Sequence, residues 1–278
     1  MANPLPIPRF LYGTAWKKDE THSLVKTAIL QGFRGIDTAC QPKHYNEPQV
    51  GNAIAEVTQN HNIPRSELFI QTKFTSLDGQ DPLRIPYDKH ATLEEQVTQS
   101  FNVSLKNLKV SYIDSLVLHS PMRTLEDTLR VWRVLEGFKQ QNKVHYLGIS
   151  NAYNLRFLQQ LYQQVSVKPS FIQNRFYRET GWDRDIRSWA KEVNIKYQSF
   201  WTLTGNPNVL ASPVIARIAK ARECSPEQVM YKVLIQTGIV PLNGTKNVTH
   251  MKEDLAILQW ENWSDEEIDA VLALVGGK

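Results

Sequence analysis

The sequence predicts an α/β chain folded as one (β/α)8 barrel, and three observations predict it. Short β-type runs alternate with stretches of helical period, and there are eight such runs. No proline- or serine-rich linker divides the 278 residues, so residues 1–278 read as a single domain. Strand-then-helix alternation requires parallel strands joined by right-handed crossovers. Closing eight units into a barrel leaves no edge strand to protect.

The elements follow in order. The first run, Phe10 to Trp16, precedes a helical stretch at Thr21 to Gln31; the second, Gly35 to Ala39, precedes one at Glu47 to Val57. The third run, Leu68 to Phe74, is followed by the longest interruption, Thr75 to Thr92, before the helical stretch Leu93 to Asn107. A loop of that length after a strand's C-terminal end is expected over the face where barrel enzymes keep their sites. The fourth run is Ile113 to Ser120, with a helix at Leu125 to Gln140. The fifth to seventh are His145 to Asn151, Ser170 to Tyr177 and Ile195 to Leu203. A helix at Pro226 to Thr237 leads to the eighth, Ile239 to Asn243, and a last helix is expected at Ser264 to Val275. Several of these helices have Asp, Ser or Asn near their start, the usual capping residues.

Composition narrows the function. With 41% hydrophobic residues and two cysteines, the chain is neither a disordered tail nor a disulfide-stapled module. The net charge of +4 is scattered, with no basic run, so neither nucleic acid nor an anionic membrane is an expected partner. The N-terminal MANPLPIPRF lacks the apolar segment of a signal peptide, and no run of 18 apolar residues is present. A cytoplasmic location is therefore expected, with Cys40 and Cys224 free and the sequons at Asn102, Asn243, Asn247 and Asn262 fortuitous. No metal site is expected.

Ionisable residues fall at the ends of three consecutive strands. Asp37 lies in Gly35-Ile36-Asp37-Thr38-Ala39, Lys73 closes Gln71-Thr72-Lys73, and His119 ends Leu116-Val117-Leu118-His119. A buried lysine needs a counter-charge, and an aspartate on the adjacent strand is the natural one. Tyr45, just past the second strand, is placed to lean over the same rim. A neighbouring ammonium is expected to bring its phenol down toward the working range, making Tyr45 a general acid with Lys73 and Asp37 as its tuners. A neutral His119 would orient a carbonyl oxygen. Singly, each residue reads as a barrel ion pair or a core histidine; their joint placement is what points to chemistry.

Those residues carry a resemblance. Gly13-Thr14-Ala15-Trp16, Gly35 to Ala39, Thr72-Lys73, Tyr112-Ile113-Asp114, Leu118-His119-Ser120-Pro121, Leu147-Gly148-Ile149-Ser150-Asn151 and Ile172-Gln173-Asn174 resemble the aldo-keto reductase family over nearly the whole chain. The resemblance implies reduction of a small aldehyde or ketone by hydride from NADPH, with NADH as a possible substitute, and a tetrad of Asp37, Tyr45, Lys73 and His119. It places the nicotinamide carboxamide at Ser150, Asn151 and Gln173, with Gly13, Thr14 and Asp37 also at the cofactor. The phosphates are expected after the seventh and eighth strands, at Phe200, Trp201, Thr202 and Leu203 and at Asn243, Gly244, Thr245 and Lys246. There a helix N-terminus favours anions, and His250, Glu253 and Asp254 complete the set. Lys246 is the candidate for the 2′-phosphate.

Three positions depart from the family's pattern. Asp37 and Tyr45 are eight residues apart rather than five, His250 stands where an arginine commonly grips the 2′-phosphate, and Gln198 stands where an aromatic ring often stacks on the nicotinamide. The short tail Gly276-Gly277-Lys278 and short N-terminus imply an open substrate pocket, lined by Trp16, Tyr45, Phe74, His119 and Trp201 with Tyr87 from the long loop. Two other readings compete: a cofactor-binding regulatory or scaffold protein with little turnover, and an unrelated barrel enzyme for phosphorylated sugars. The intact tetrad argues against the first, and the scarcity of glycine after the last two strands against the second.

Overall fold

The computed structural model describes residues 4–277. Its eight strands are β1 (Leu11–Gly13), β2 (Gly35–Asp37), β3 (Phe69–Phe74), β4 (Ile113–Leu118), β5 (Val144–Ser150), β6 (Phe171–Arg175), β7 (Lys196–Phe200) and β8 (Val240–Asn243). They run parallel in sequence order, and β1 closes on β8 through Leu11 opposite Leu242 and Tyr12 opposite Asn243. The (β/α)8 barrel the sequence predicts is the one observed.

The outer layer comprises α1 (Thr21–Gln31), α2 (Glu47–Asn60), α3 (Leu93–Leu108), α4 (Leu125–Gln140), α5 (Leu155–Gln164) and α6 (Arg184–Glu192). It continues through the short α7 (Pro207–Leu210), α8 (Pro213–Ala221), α9 (Pro226–Gln236), α10 (Val248–Ala256) and α11 (Asp265–Leu272). Side chains accept from orphan amides where these helices begin. Asn46 caps α2, Thr124 α4, Asn154 α5 and Asn247 α10. Reciprocal boxes cap α3 (Thr92 with Glu95), α9 (Ser225 with Gln228) and α11 (Ser264 with Glu267). Such a cap contributes about 1 kcal/mol.

Gly51 sets the contact between α2 and α3. A Cβ there would lie 2.0 Å from the Asn107 carbonyl oxygen, so only glycine lets the helices approach this closely. The main core lies between barrel and helices, with Trp132, Phe33, Phe101 and Phe176 sealed within it. A second cluster of Leu11, Phe69, Phe171 and Val240 fills the barrel at the strands' N-terminal ends. Leu5 and Ile7 pack beneath it, and the Tyr146 hydroxyl donates to the Leu5 carbonyl at 2.9 Å. The N-terminal segment thus packs across the N-terminal ends of the strands.

Most strands stop sooner than the sequence suggests at their C-terminal ends. Trp16, Asn151 and Trp201 take left-handed backbone conformations, with φ of 63°, 53° and 58°, which turn the chain out of the sheet. These three turns form part of the barrel's upper lip. The long segment after β3 stands over the same lip and is tied down: the Tyr87 hydroxyl donates to the Thr75 carbonyl at 2.7 Å, and its ring packs on Phe74.

Candidate active site

Adjacent strands β2 and β3 set the first pair. Asp37 lies opposite Gln71, so Lys73 emerges one pleat higher on the same inner face. Lys73 Nζ donates to Asp37 Oδ2 at 2.6 Å and to the Thr38 carbonyl at 2.8 Å, with the two side chains 1% and 2% exposed. The other carboxylate oxygen accepts from Gln71 Nε2 at 2.7 Å and Gln173 Nε2 at 3.1 Å. Gln198 links those glutamines, accepting from both at 2.8 Å and donating back to Gln71. Ser115 completes the layer through Gln71 Oε1. Fully satisfied hydrogen bonding is what makes a buried charge pair tolerable here. The position that departs from the family's aromatic pattern, Gln198, is therefore a buried strut of this layer, and Phe200 is the β7 ring that reaches the cavity.

The lengthened loop delivers Tyr45 by winding into a turn. The backbone amides of His44 and Tyr45 both donate to the Gln41 carbonyl, and Gln41 Nε2 donates to the Gly79 carbonyl at 2.6 Å. Asn46 then caps α2, fixing the position of the preceding tyrosine. Lys73 Nζ sits 5.1 Å from the Tyr45 ring centre, and the His119 ring meets it edge-on at 5.9 Å.

Electrostatics differ from the expectation at the phenol. Burial raises the Tyr45 pKa and outweighs the opposing ammonium of Lys73, while Asp37 raises it further. The phenol is held protonated rather than brought down into the neutral range. Burial alone would lower Lys73, but the charges of Asp37 and Tyr45 and their hydrogen bonding carry it above its ordinary value. His119 is driven well below its ordinary value by burial and then by Lys73 and His44, so its imidazole is neutral. Its Nδ1 lies 2.6 Å from Thr75 Oγ1.

These groups open into a cavity of about 1430 Å³ over the strands' C-terminal ends. Trp16, Asp37, Tyr45, His119, Ser150, Asn151, Gln173 and Trp201 all line it. Of the other residues predicted at the site, Gly13, Phe200, Thr202, Leu203, Asn243, Gly244, Thr245, His250, Glu253 and Asp254 also line it. Several do not. Lys73 is behind Asp37, and Thr14 is fully buried with its hydroxyl on the Asp37 carbonyl. Phe74 and Tyr87 are turned away: Lys73 faces the barrel interior, so its neighbour Phe74 must face the helices, where Tyr87 packs on it. Lys246 is outside the lining and ion-paired with Glu20.

The far end of the cavity has its own support. Lys17 donates to the Gly244 carbonyl at 2.9 Å, and the Tyr12 hydroxyl to the Thr245 carbonyl at 2.9 Å, pinning the loop between β8 and α10. Asn243 Nδ2 donates to Asp254 at 2.6 Å; burial raises that carboxyl to about 6. Nearer the tetrad, Asn151 Nδ2 donates to the His119 carbonyl at 2.8 Å and Ser150 Oγ to the Gln173 carbonyl at 2.7 Å. With both its donors spent on Asp37 and Gln198, Gln173 offers the cavity its amide oxygen.

Cavity residues that escaped the sequence reading include His44, Gln41 and Arg175. His44 stacks on Trp16 with 3.9 Å between ring centres, and Gln41 braces the loop. Arg175 follows Gln173 by two positions on β6, a parity that marks it as facing the same interior.

A family model, the Aldo/keto reductase family, matches residues 11–196. An oxidoreductase of Bacillus subtilis, YtbE, is 28% identical over 254 residues, covering 91% of this chain and 84% of that protein. The glyoxal reductase of the same organism is 28% identical over 257 residues, covering 92% and 84%. Among solved structures, MGS-M4, an aldo-keto reductase from a Medee basin deep-sea metagenome library, superposes with a TM-score of 0.81 at 25% identity, covering 99% of this chain and 93% of its own. The silkworm Bombyx mori aldo-keto reductase AKR2E4, solved in complex with NADP, shares the fold with a TM-score of 0.77 at 23% identity, covering 95% and 88%. Barrel, cavity and family match agree: the chain belongs to the aldo/keto reductase family of oxidoreductases.

Proposed function

We propose that the protein reduces a small aldehyde or ketone to the alcohol with hydride from NADPH, Tyr45 delivering the proton. The observation that carries the reading is the convergence of Tyr45, His119 and the sealed Lys73–Asp37 pair on one cavity. Relatives named glyoxal reductase, from Bacillus subtilis, and methylglyoxal reductase DkgA, from Yersinia pestis, suggest short reactive aldehydes as the substrate class.

The residues present fit a nicotinamide dinucleotide. The cavity runs from the tetrad to the N-terminal end of α10, and its volume exceeds the roughly 300–1,000 Å³ of a usual small-molecule pocket. The side-chain amide oxygens of Gln173 and Asn151 are acceptors suited to a carboxamide NH2, and Phe200 lines the same cavity. At the far end, Gly244 has open space about it and α10 begins, its positive dipole end favouring a phosphate while the Thr249 and His250 amides are already taken by the Asn247 side chain. The cofactor, when bound, supplies the hydride.

The chain's own groups do the rest. With Nδ1 accepting a hydrogen bond from the Thr75 hydroxyl 2.6 Å away, a neutral His119 would carry its one ring proton on Nε2, ready to donate to a carbonyl oxygen. Tyr45 retains its proton until negative charge develops on that oxygen. Lys73, fixed by Asp37, stabilises the phenolate that forms.

The test is NADPH oxidation across an aldehyde panel, comparing wild type with Tyr45→Phe. Loss of a general acid lowers kcat by about 10²–10⁴. Equal turnover in the two proteins would remove Tyr45 from the mechanism.

A further inference from the structure

We infer that Arg175 is an oxyanion site in the cavity mouth, built to take a carboxylate on the carbonyl substrate or the diphosphate of the cofactor. The inference rests on the carbonyl-reductase reading above and adds the charge of the ligand to it. Arg175 and Arg123 are the two arginines of the cavity wall, and they differ in their partners. Arg123 is held by Asp78 through two hydrogen bonds of 2.9 and 3.0 Å. Among the described residues, Arg175 has no carboxylate within ion-pair distance and no side-chain hydrogen bond, and its Nε is buried without a partner.

Its position is built rather than incidental. The guanidinium carbon lies 3.9 Å from the Trp201 ring centre and 5.3 Å from that of Tyr177, with Phe200 at 5.9 Å. Its backbone amide donates to the Tyr153 hydroxyl at 3.0 Å; Tyr153 in turn reaches Asn151, and Asn151 the His119 carbonyl. One pleat below, about 6–7 Å along β6, is Gln173 in the Asp37 layer. A guanidinium fork over an indole, with its Nε buried and no internal acceptor, suits the bidentate geometry of a carboxylate or phosphate.

The experiment measures NADPH oxidation with benzaldehyde and with 4-carboxybenzaldehyde in wild type, Arg175→Met and Arg175→Lys, together with NADPH affinity by calorimetry. If the substrate supplies the oxyanion, Arg175→Met raises KM for the carboxylated aldehyde by about tenfold or more, spares benzaldehyde and NADPH, and is partly restored by lysine. If the cofactor supplies it, Arg175→Met weakens NADPH by a similar factor and affects both aldehydes alike. Both results support the site and separate its sources. Unchanged NADPH affinity together with equal KM ratios in all three proteins overturns it. Should wild type turn over neither aldehyde, the reductase reading fails separately. Calorimetric titration of benzoate and of NADP into wild type and Arg175→Met then decides the oxyanion site: weaker binding of either ligand by the variant sustains it, and equal binding of both refutes it.

Discussion

Lys73 Nζ stands 2.6 Å from Asp37 Oδ2, and neither side chain is more than 2% exposed. The pair is therefore as much a structural element of the barrel interior as a part of the site. Asp37→Asn leaves a buried ammonium facing a neutral amide, and the loss expected from breaking such a pair is about 3–5 kcal/mol in urea unfolding. Asp37→Asn combined with Lys73→Met removes the stranded charge and should recover much of that loss. A double variant no more stable than the single one would contradict this account.

Charge states at the tetrad predict the shape of the pH profile. Reduction needs the proton on Tyr45, whose pKa burial raises, so kcat at saturating cofactor should stay level through neutral pH and fall only on the alkaline side. His119 is neutral well below its ordinary titration, so no acid limb should appear near pH 6.5. An acid limb there that vanishes in His119→Gln would show a charged histidine instead.

Thr75 acts through His119. With the hydroxyl 2.6 Å from Nδ1, Thr75→Val keeps the shape and removes the hydrogen bond that selects the ring tautomer. The expectation is a kcat lower by about tenfold, with little change in KM for NADPH. A loss in cofactor affinity alone would place Thr75 elsewhere in the mechanism.

Gly51→Ala tests the seam between α2 and α3. The new methyl would overlap the Asn107 carbonyl and approach Leu108 Cα to 2.7 Å, both backbone atoms that cannot rotate away. Overpacking of this kind costs about 1–3 kcal/mol. Thermal unfolding reads the result, and an unchanged Tm would show that the helices can separate freely.

Lys17 couples stability to alkaline pH. Burial, then Lys246, lower its pKa from 10.5 to about 8, so between those values the unfolded chain holds a proton that the folded chain has released. Stability contributed by this group therefore rises with pH across that window. Wild type should gain on Lys17→Met as pH increases from about 8 to 10.5, measured by urea midpoints. A constant difference between the two proteins would contradict the shift.

Much of the fold and half of the site could be read from the sequence because both depend on short-range pattern. Apolar runs gave eight strands, and polar residues at their ends gave Asp37, Lys73 and His119. Phe74 and Tyr87 went astray through parity: with Lys73 inside, Phe74 had to face out. The same parity applied to Gln173 would have revealed Arg175. Other features were not legible. Left-handed turns at Trp16, Asn151 and Trp201 shorten strands whose apolar run continues, and the Lys246–Glu20 pair joins residues far apart in the chain. The net direction of the Tyr45 shift depends on depth in the barrel, which no linear pattern contains.

Trp16 and Trp201 stand at the lip, 60% and 50% exposed, while Trp132 is sealed in the core. The protein consequently carries its own optical reporters. Emission from the lip indoles will respond when a ligand enters between them, against the background of the chain's five other tryptophans. Arrival and departure can be followed without any label and with the reaction itself switched off.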